Sequence, residues 1–145
     1  DAEAVARQAR LADDLIAEAL EEESLRPDPG SPLAGRPIVF HGHCHQKAAS
    51  ATAGSIRVLE AIPGAKVEVL DAGCCGMAGS FGFEREHYDL SMKIGGLRLF
   101  PSVRSAPDNA LFAATGVSCR QQIAHGTGRV ADHPVVLLRS AITLD

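Results

Sequence analysis

The sequence has few aromatic residues and no excess of positive charge. Aromatic residues make up 4% of the 145 residues, with no Trp and one Tyr. The 14 Lys and Arg are outnumbered by 18 Asp and Glu, and the net charge of -4 argues against a nucleic-acid partner, since phosphate backbones bind basic surfaces. No apolar run approaches the roughly 20 residues of a membrane span. The length fits one domain, and 46% hydrophobic and 22% charged residues are typical of a globular protein.

Several common enzyme motifs are also missing. The glycine-rich segment GCCGMAGSFG matches neither GxGxxG nor the Walker pattern, so it does not predict a phosphate cradle. Ser80 lies outside any GxSxG elbow, and no convincing Ser-His-Asp order exists. The first residues lack the basic start and uninterrupted apolar run of a signal peptide. These absences direct attention to the four cysteines.

The first 32 residues are predicted to form a unit separate from residues 33–145. Residues 2–23 are predicted to be one amphipathic helix, because an apolar stripe recurs at spacings of three or four. The stripe consists of Val5, Ala9, Ala12, Ile16 and Leu20. A linker rich in Pro and Gly follows at 27–32. Since the chain begins with Asp rather than Met, we expect it to be a piece of a longer protein.

After the linker, the pattern of a short apolar run, a turn with Gly or Cys and a helix-like stretch occurs three times. The apolar runs are 37–40, 66–70 and 110–114. This order predicts an α/β, Rossmann-like three-layer domain with a short parallel sheet and an N-terminal helix. Helices are predicted at 50–62, 84–99, 118–125 and 134–142. Pro101 is expected to end the second of these, and Gly126 to cap the third.

Each cysteine follows a predicted strand. Cys44 follows the first strand, Cys74 and Cys75 follow the second, and Cys119 follows the third. Because the carboxyl ends of parallel strands lie at one edge of a sheet, the four thiols are expected to share one site. Buried core cysteines, two disulfides or a cysteine nucleophile are the alternatives, but core packing does not explain adjacent cysteines flanked by glycine, and no CxxC is present.

Metal binding fits the four cysteines best. Structural zinc usually takes cysteine pairs that are two to four residues apart, whereas adjacent cysteines point apart and suit a site with more than one metal atom. Four cysteines are also the usual ligands of an iron–sulfur cluster. The residues therefore favour an iron–sulfur cluster, with zinc as the alternative.

Seven neighbouring residues are expected to surround the ligands rather than bind the metal. They are His43, His45, Lys47, Gly73, Gly76, Arg120 and His125. The two histidines beside Cys44 would point away from its sulfur in an extended chain. The glycines allow backbone N–H groups to approach sulfur, and the cations would offset the charge of the thiolates.

The motifs HCHQKA, GCCGMAGSFGFE, HYDLSMKIG and SCRQQIAHGTGR resemble the cysteine-rich CCG domain. That domain occurs in heterodisulfide reductase, in the glycolate oxidase iron–sulfur subunit and at the C-terminal end of FAD-linked oxidases fused to ferredoxin-like modules, and the last group, of the D-lactate or D-2-hydroxyglutarate dehydrogenase type, is the most similar. The resemblance covers about residues 37–138. The family pattern ends in CxxC, but here Gln122 stands three residues after Cys119, in the place of a fifth cysteine.

The resemblance implies an electron-transfer domain with a 4Fe-4S cluster, which relays electrons from FAD in another domain of a 2-hydroxy-acid dehydrogenase to an acceptor. The partners would be flavin and ferredoxin-like domains, and the fragment alone would not be catalytic. We expect a cytoplasmic protein that meets the membrane only through its electron acceptor. The alternatives are a zinc-stabilised docking module without redox activity and a metal-free thiol redox site at Cys74 and Cys75.

Overall fold

The computed structural model describes residues 1–49 and 51–142. A four-stranded parallel sheet with the order β2-β1-β3-β4 forms its centre. The strands are β1 (Pro37–His41), β2 (Lys66–Val69), β3 (Leu111–Ala114) and β4 (Ala131–Asp132). The predicted α/β class with a parallel sheet is confirmed, while the two residues of β4 were too few to be recognised from the sequence. Ser50, where a helix was predicted to begin, and residues 143–145 of the predicted second unit lie outside the described ranges.

Helices cover both faces of the sheet. They are α1 (Ala2–Gln8), α2 (Ala12–Glu21), α3 (Cys44–Ala48), α4 (Ala53–Glu60), α5 (Tyr88–Leu97), α6 (Leu99–Ser105), α7 (Val117–Thr127) and α8 (Pro134–Arg139). A short 3₁₀ helix, Phe81–Phe83, precedes α5. None of the described helices has the length and apolar character that crossing a bilayer requires.

The alternation of side chains along the strands produces two apolar layers. Ile38 and Phe40 of β1 pack with residues of α2, α4 and α8, whereas Val39 packs on the opposite face with residues of α6 and α7. These positions in β1 are at most 3% exposed, as expected for a central parallel strand with both faces covered. The result is the predicted three-layer arrangement, with the loops after the strands at one edge.

The N-terminal segment differs from the single amphipathic helix predicted for residues 2–23. It forms two helices, because the backbone is extended at Ala9 and Leu11 between α1 and α2. Val5, the first member of the predicted stripe, is 67% exposed, while Ala17 of α2 is buried against the sheet layer. Only the second half of the periodic pattern therefore packs on the domain. The boundary at residue 32 stays a prediction.

Two predicted helix ends are wrong for local reasons. Pro101 lies in the first turn of α6 instead of ending a helix, and it is tolerated there because the first N–H groups of a helix have no partner within the helix. The preceding break occurs at Arg98, where φ is -140°. Gly126 lies inside α7, and a Cβ there would be 2.3 Å from atoms of the Phe100 ring. Gly128, with φ of 73°, is the actual C-terminal cap.

A buried polar network joins α2 to the sheet edge. Asp13 is 5% exposed and accepts a hydrogen bond from the hydroxyl of Ser55 in α4. The same hydroxyl accepts a hydrogen bond of 2.9 Å from Nε2 of Gln46. Oε1 of Gln46 accepts one of 2.8 Å from Thr115, which follows β3. His133 Nδ1 lies 3.9 Å from Oδ1 of Asp13. The network ties separate segments of the chain together.

Removal of the Asp13 carboxylate is expected to destabilise this arrangement. Asp13→Ala leaves the buried Ser55 hydroxyl without its acceptor, so the free energy of unfolding should fall by about 2–4 kcal/mol. Urea unfolding measures the change. Glu86→Ala, at an exposed carboxylate, is the control and should stay within about 0.5 kcal/mol of the wild type. Equal effects of the two substitutions would contradict the structural role of the network.

Candidate metal centre

The four cysteines lie at the carboxyl edge of the sheet, as predicted. Cys44 is the first residue of α3, directly after β1. Cys74 and Cys75 lie in the loop after β2, and Cys119 is the third residue of α7, after β3. All four are free thiols. Three strands thus bring together residues that are up to 75 positions apart in the sequence.

The topology explains why a site forms at this edge. β1 lies between β2 and β3 in the sheet, so the chain leaves β1 toward one side and later returns to its other side. Such a reversal of strand order opens a crevice at the carboxyl ends of the two strands. A cleft of about 380 Å³ lies there, lined among others by His43, His45, Gln46, Thr115 and Gly116. The carboxyl edge therefore has room for ligands.

Cys75 and Cys119 form a buried pair. They are 3% and 1% exposed, respectively. A hydrogen bond from the Cys119 thiol lowers the pKa of Cys75 to about 4, and the neighbouring His41 contributes to this lowering. The same hydrogen bond, together with burial, raises the pKa of Cys119. These opposite shifts favour the thiolate form of Cys75 and the protonated form of Cys119.

Cys44 and Cys74 are half-buried and lie nearer the surface. Burial raises the pKa of Cys74, while the backbone N–H of Gly76, which donates to its sulfur at 3.3 Å, opposes this change. A negative charge on Cys44 also raises the pKa of Cys74 and of Cys119, so the three sulfurs are within electrostatic range of each other. A cavity of about 330 Å³ opens beside Cys74, with Leu97 and Arg98 on its wall.

The two glycines that flank the cysteine pair differ in their surroundings. Gly76 has φ of 100°, and a Cβ there would be 2.2 Å from the carbonyl oxygen of Ser91 in α5. Gly73 has no atom within 4 Å of the position of a Cβ. Close packing of the loop on α5 therefore requires glycine at position 76 only. The predicted approach of a backbone N–H to sulfur is present at Gly76.

Lys47 and Arg120 hold the loops around the cysteines by hydrogen bonds to carbonyl groups. Lys47 Nζ donates to the carbonyl oxygen of Ala72 at 2.5 Å, which ties α3 to the segment before Cys74. Arg120 donates to the carbonyl oxygens of Ala114 and Thr115, both at 2.9 Å. Both cations thus support the segments that carry the cysteines.

The prediction for His43 and His45 assumed an extended chain, but these two residues lie at the start of α3. His43 caps the N-terminus of α3, and its Nδ1 accepts a hydrogen bond of 3.3 Å from the backbone N–H of His45. His45 is exposed, and the two rings are 5.2 Å apart. A Cβ on Gly116 would contact both the His43 ring and the sulfur of Cys119, so His43 lies near that thiol. His125 is exposed, six residues beyond Cys119 in α7.

Gln122, in the place of the fifth cysteine, is engaged in the protein core. It is 1% exposed, and its Nε2 donates to the carbonyl oxygen and the hydroxyl of Ser91, both at 3.0 Å. The side chain thus joins α7 to α5 beside Gly76. At this position the chain therefore has a hydrogen-bonded contact between α7 and α5 instead of a fifth thiol.

His41 had no predicted role, but the structure places it at the site. It is the last residue of β1, is 1% exposed and approaches Cys75. The sequence contains one signal for this placement. Val39 and His41 are two residues apart in β1, so both side chains lie on the face where Cys75 and Cys119 pack.

The arrangement has the chemistry of a soft-metal site but not the geometry of a single-ion site. Within residues 1–49 and 51–142, no three Cys, His, Asp or Glu side chains are grouped so that they could hold one ion. The four thiols, which come from separate loops and include a low-pKa thiolate, suit a thiophilic metal group. Cys74 and Cys75 are adjacent in the sequence but differ in burial and in hydrogen-bond partners.

Comparison with known proteins identifies relatives among dehydrogenases. The chain is 34% identical over 119 residues to one subunit of the anaerobic glycerol-3-phosphate dehydrogenase of Escherichia coli K12, an alignment that covers 79% of this chain and 30% of the relative. It is 35% identical over 133 residues to the D-2-hydroxyglutarate dehydrogenase of Escherichia coli K12, covering 91% of this chain and 12% of the relative. The Pantoea ananatis enzyme of the same name is 33% identical over 110 residues, or 75% of this chain and 11% of the relative.

The chain spans less than a third of the length of each of these relatives. No protein-family model matches it. No solved structure matches it significantly. The resemblance predicted from the cysteine motifs is nevertheless confirmed, and the chain is related, over at least 75% of its length in these three alignments, to a segment of dehydrogenase proteins of the glycerol-3-phosphate and D-2-hydroxyglutarate types.

Proposed function

We propose that the chain is an iron–sulfur electron-transfer domain of an FAD-linked 2-hydroxy-acid dehydrogenase, with Cys44, Cys74, Cys75 and Cys119 as ligands of a 4Fe-4S cluster. The observation that supports this most strongly is the convergence of four free thiols from three strand ends on one edge of the sheet. When bound, such a cluster accepts and donates single electrons. The flavin would lie in another domain of the full-length protein.

The names of the relatives support a relay role rather than substrate binding. Glycerol-3-phosphate and D-2-hydroxyglutarate are different substrates, yet both kinds of protein contain a segment similar to this chain. A segment shared between dehydrogenases for different substrates is expected to perform the step that they have in common, which is the removal of electrons. The partners would then be flavin and ferredoxin-like domains, in a cytoplasmic protein.

The adjacency of Cys74 and Cys75 supports a cluster over zinc. A single zinc ion binds sulfur at about 2.3 Å, so its four ligands lie within about 4 Å of each other. A cluster of several irons spreads its ligands over a wider space, and the adjacent Cys74 and Cys75 can then bind different irons.

The residues of the chain would contribute to electron transfer in distinct ways. The lowered pKa of Cys75 favours its thiolate before any metal binds, so metal binding there would displace a proton more readily than at an ordinary thiol. The N–H of Gly76, which donates to Cys74, would reduce the repulsion between thiolates, while Lys47 and Arg120 would hold the loops that carry the cysteines. Cys74 is half-buried beside a surface cavity, so a cluster bound there would lie near the surface, where a partner domain would dock.

Anaerobic reconstitution with iron and sulfide, followed by analysis of both elements, tests the proposal. We expect about four iron and four sulfide ions per chain. Zinc at one equivalent in the anaerobically purified chain, with no uptake of iron, would support the zinc docking module instead.

Metal-free thiol chemistry is a second candidate, which the Cys75–Cys119 pair favours. The sequence suggested Cys74 and Cys75 for this role, but the structure brings Cys75 and Cys119 together. Oxidation of the Cys75 thiolate and the Cys119 thiol to a disulfide would release two electrons and one proton to an external oxidant. A reversible two-electron couple in the iron-free chain would support this candidate, and its absence would exclude it.

A further inference from the structure

His41 occupies a position in which a histidine has no evident structural purpose. It ends the central strand β1 and is 1% exposed, with Phe40 of the same strand fully buried beside it. Neither Nδ1 nor Nε2 has a hydrogen-bond partner in the part of the chain that the structure describes. A buried polar atom without a partner lowers the stability of the fold, because it has lost its hydrogen bonds to water. A leucine of similar size would fill this space at lower cost.

The surroundings of the ring indicate which partner it lacks. Alternation along β1 places His41 on the face of Val39, where Cys75 and Cys119 also pack. The ring lowers the pKa of Cys75 both as a hydrogen-bond donor and through its charge, so it faces that sulfur, although neither ring nitrogen makes a hydrogen bond of full geometry. A sulfur atom of the proposed metal centre is therefore the hydrogen-bond acceptor that the His41 ring can reach.

Gln122 cannot take this role, although it stands where the family pattern has a cysteine. Its amide nitrogen is already engaged with both oxygen atoms of Ser91. His41, in contrast, has two buried ring nitrogens without a hydrogen-bond partner among the described residues.

We propose that His41 donates its ring N–H to a sulfur of the cluster bound at Cys75 and Cys119, and thereby raises the reduction potential of that cluster. The inference rests on the proposed function, since it requires a cluster at these cysteines. Hydrogen bonds to cluster sulfur stabilise the reduced, more negative state, which is why they raise the potential. His41 thus sets the driving force of electron transfer rather than holding the metal.

The test compares His41→Leu with the wild type in two forms of the chain. In the metal-free form, His41→Leu should unfold at the same or a higher temperature, because an unpartnered polar group has been removed. In the reconstituted form, iron content should be retained while the midpoint potential shifts to a more negative value. His87→Leu is the control, since this histidine pairs with Glu84 and stacks on Phe81 before α5, outside the proposed ligands and their neighbours, and it should leave the potential unchanged.

A measurement on the wild type keeps the test independent of the folding of the variant. Pulsed EPR of the reduced chain with ¹⁵N-labelled histidine should show a weak nitrogen coupling, as expected for an N–H group beside a cluster sulfur. A strong coupling from direct iron–nitrogen bonding, no coupling, or an unchanged potential in His41→Leu would each overturn the role of His41. Failure of the wild-type chain to take up iron would overturn the proposed function itself, so the two failures are distinguishable.

Discussion

Replacement of Cys75 by Ser is expected to remove most of the iron that the reconstituted chain binds. Cys75 is buried, is the thiolate of the Cys75–Cys119 pair and belongs to the loop that is tied to α3 by Lys47. A serine hydroxyl remains protonated at neutral pH and is a harder ligand, so it does not replace a thiolate on iron. Iron and sulfide analysis after anaerobic reconstitution should show less than about one quarter of the wild-type content. Cys119→Ser should behave in the same way.

Met77→Leu is the matched control for this experiment. Met77 is 2% exposed and lies two residues beyond Cys75 in the same loop, but its thioether is not among the proposed ligands. The volume of the side chain is conserved, so iron content should stay near that of the wild type. If Cys75→Ser kept full iron content while Met77→Leu did not, the assignment of the ligands would be wrong.

Replacement of Gly76 by Ala is expected both to destabilise the chain and to disrupt the site. The φ of 100° is strained for any residue with a Cβ, and that atom would be 2.2 Å from the carbonyl oxygen of Ser91. The loop must move away from α5, so the free energy of unfolding should fall by about 3 kcal/mol or more. The displacement would also withdraw the N–H group that contacts Cys74, and iron content should fall.

Gly73→Ala is a close control, because it makes the same chemical change on the other side of the cysteine pair. No atom lies within 4 Å of the position of its Cβ. Its stability should stay within about 1 kcal/mol of the wild type. Urea unfolding and iron analysis of both variants measure the difference, and equal losses from both positions would refute the packing of Gly76 on α5.

The strands were predictable because their patterns are local. The apolar runs at 37–40, 66–70 and 110–114 match β1, β2 and β3 within one residue at each end. The helix ends were harder, because they depend on tertiary contacts. Gly126 looks like a cap in the sequence, but its lack of a side chain allows α7 to approach the Phe100 ring, and the helix continues to Thr127 before Gly128 ends it.

The cysteines of the site were predictable for a topological reason, since a residue after a parallel strand must lie at one edge of the sheet. The contacts among the four cysteines could not be predicted. That Cys75 pairs with Cys119 depends on how the loop after β2 folds over α7, which no spacing reveals. His41 was also missed, because the absence of hydrogen-bond partners can be recognised only when the neighbours are known.

An electrochemical titration of the anaerobically reconstituted chain, followed by EPR, tests directly whether the four cysteines hold a cluster that transfers single electrons. We expect a paramagnetic signal that appears on one-electron reduction, disappears on reoxidation and amounts to about one spin per cluster. The signal should be missing in Cys75→Ser and present in Met77→Leu. A chain that takes up iron but shows no reversible one-electron couple would contradict the electron-transfer role.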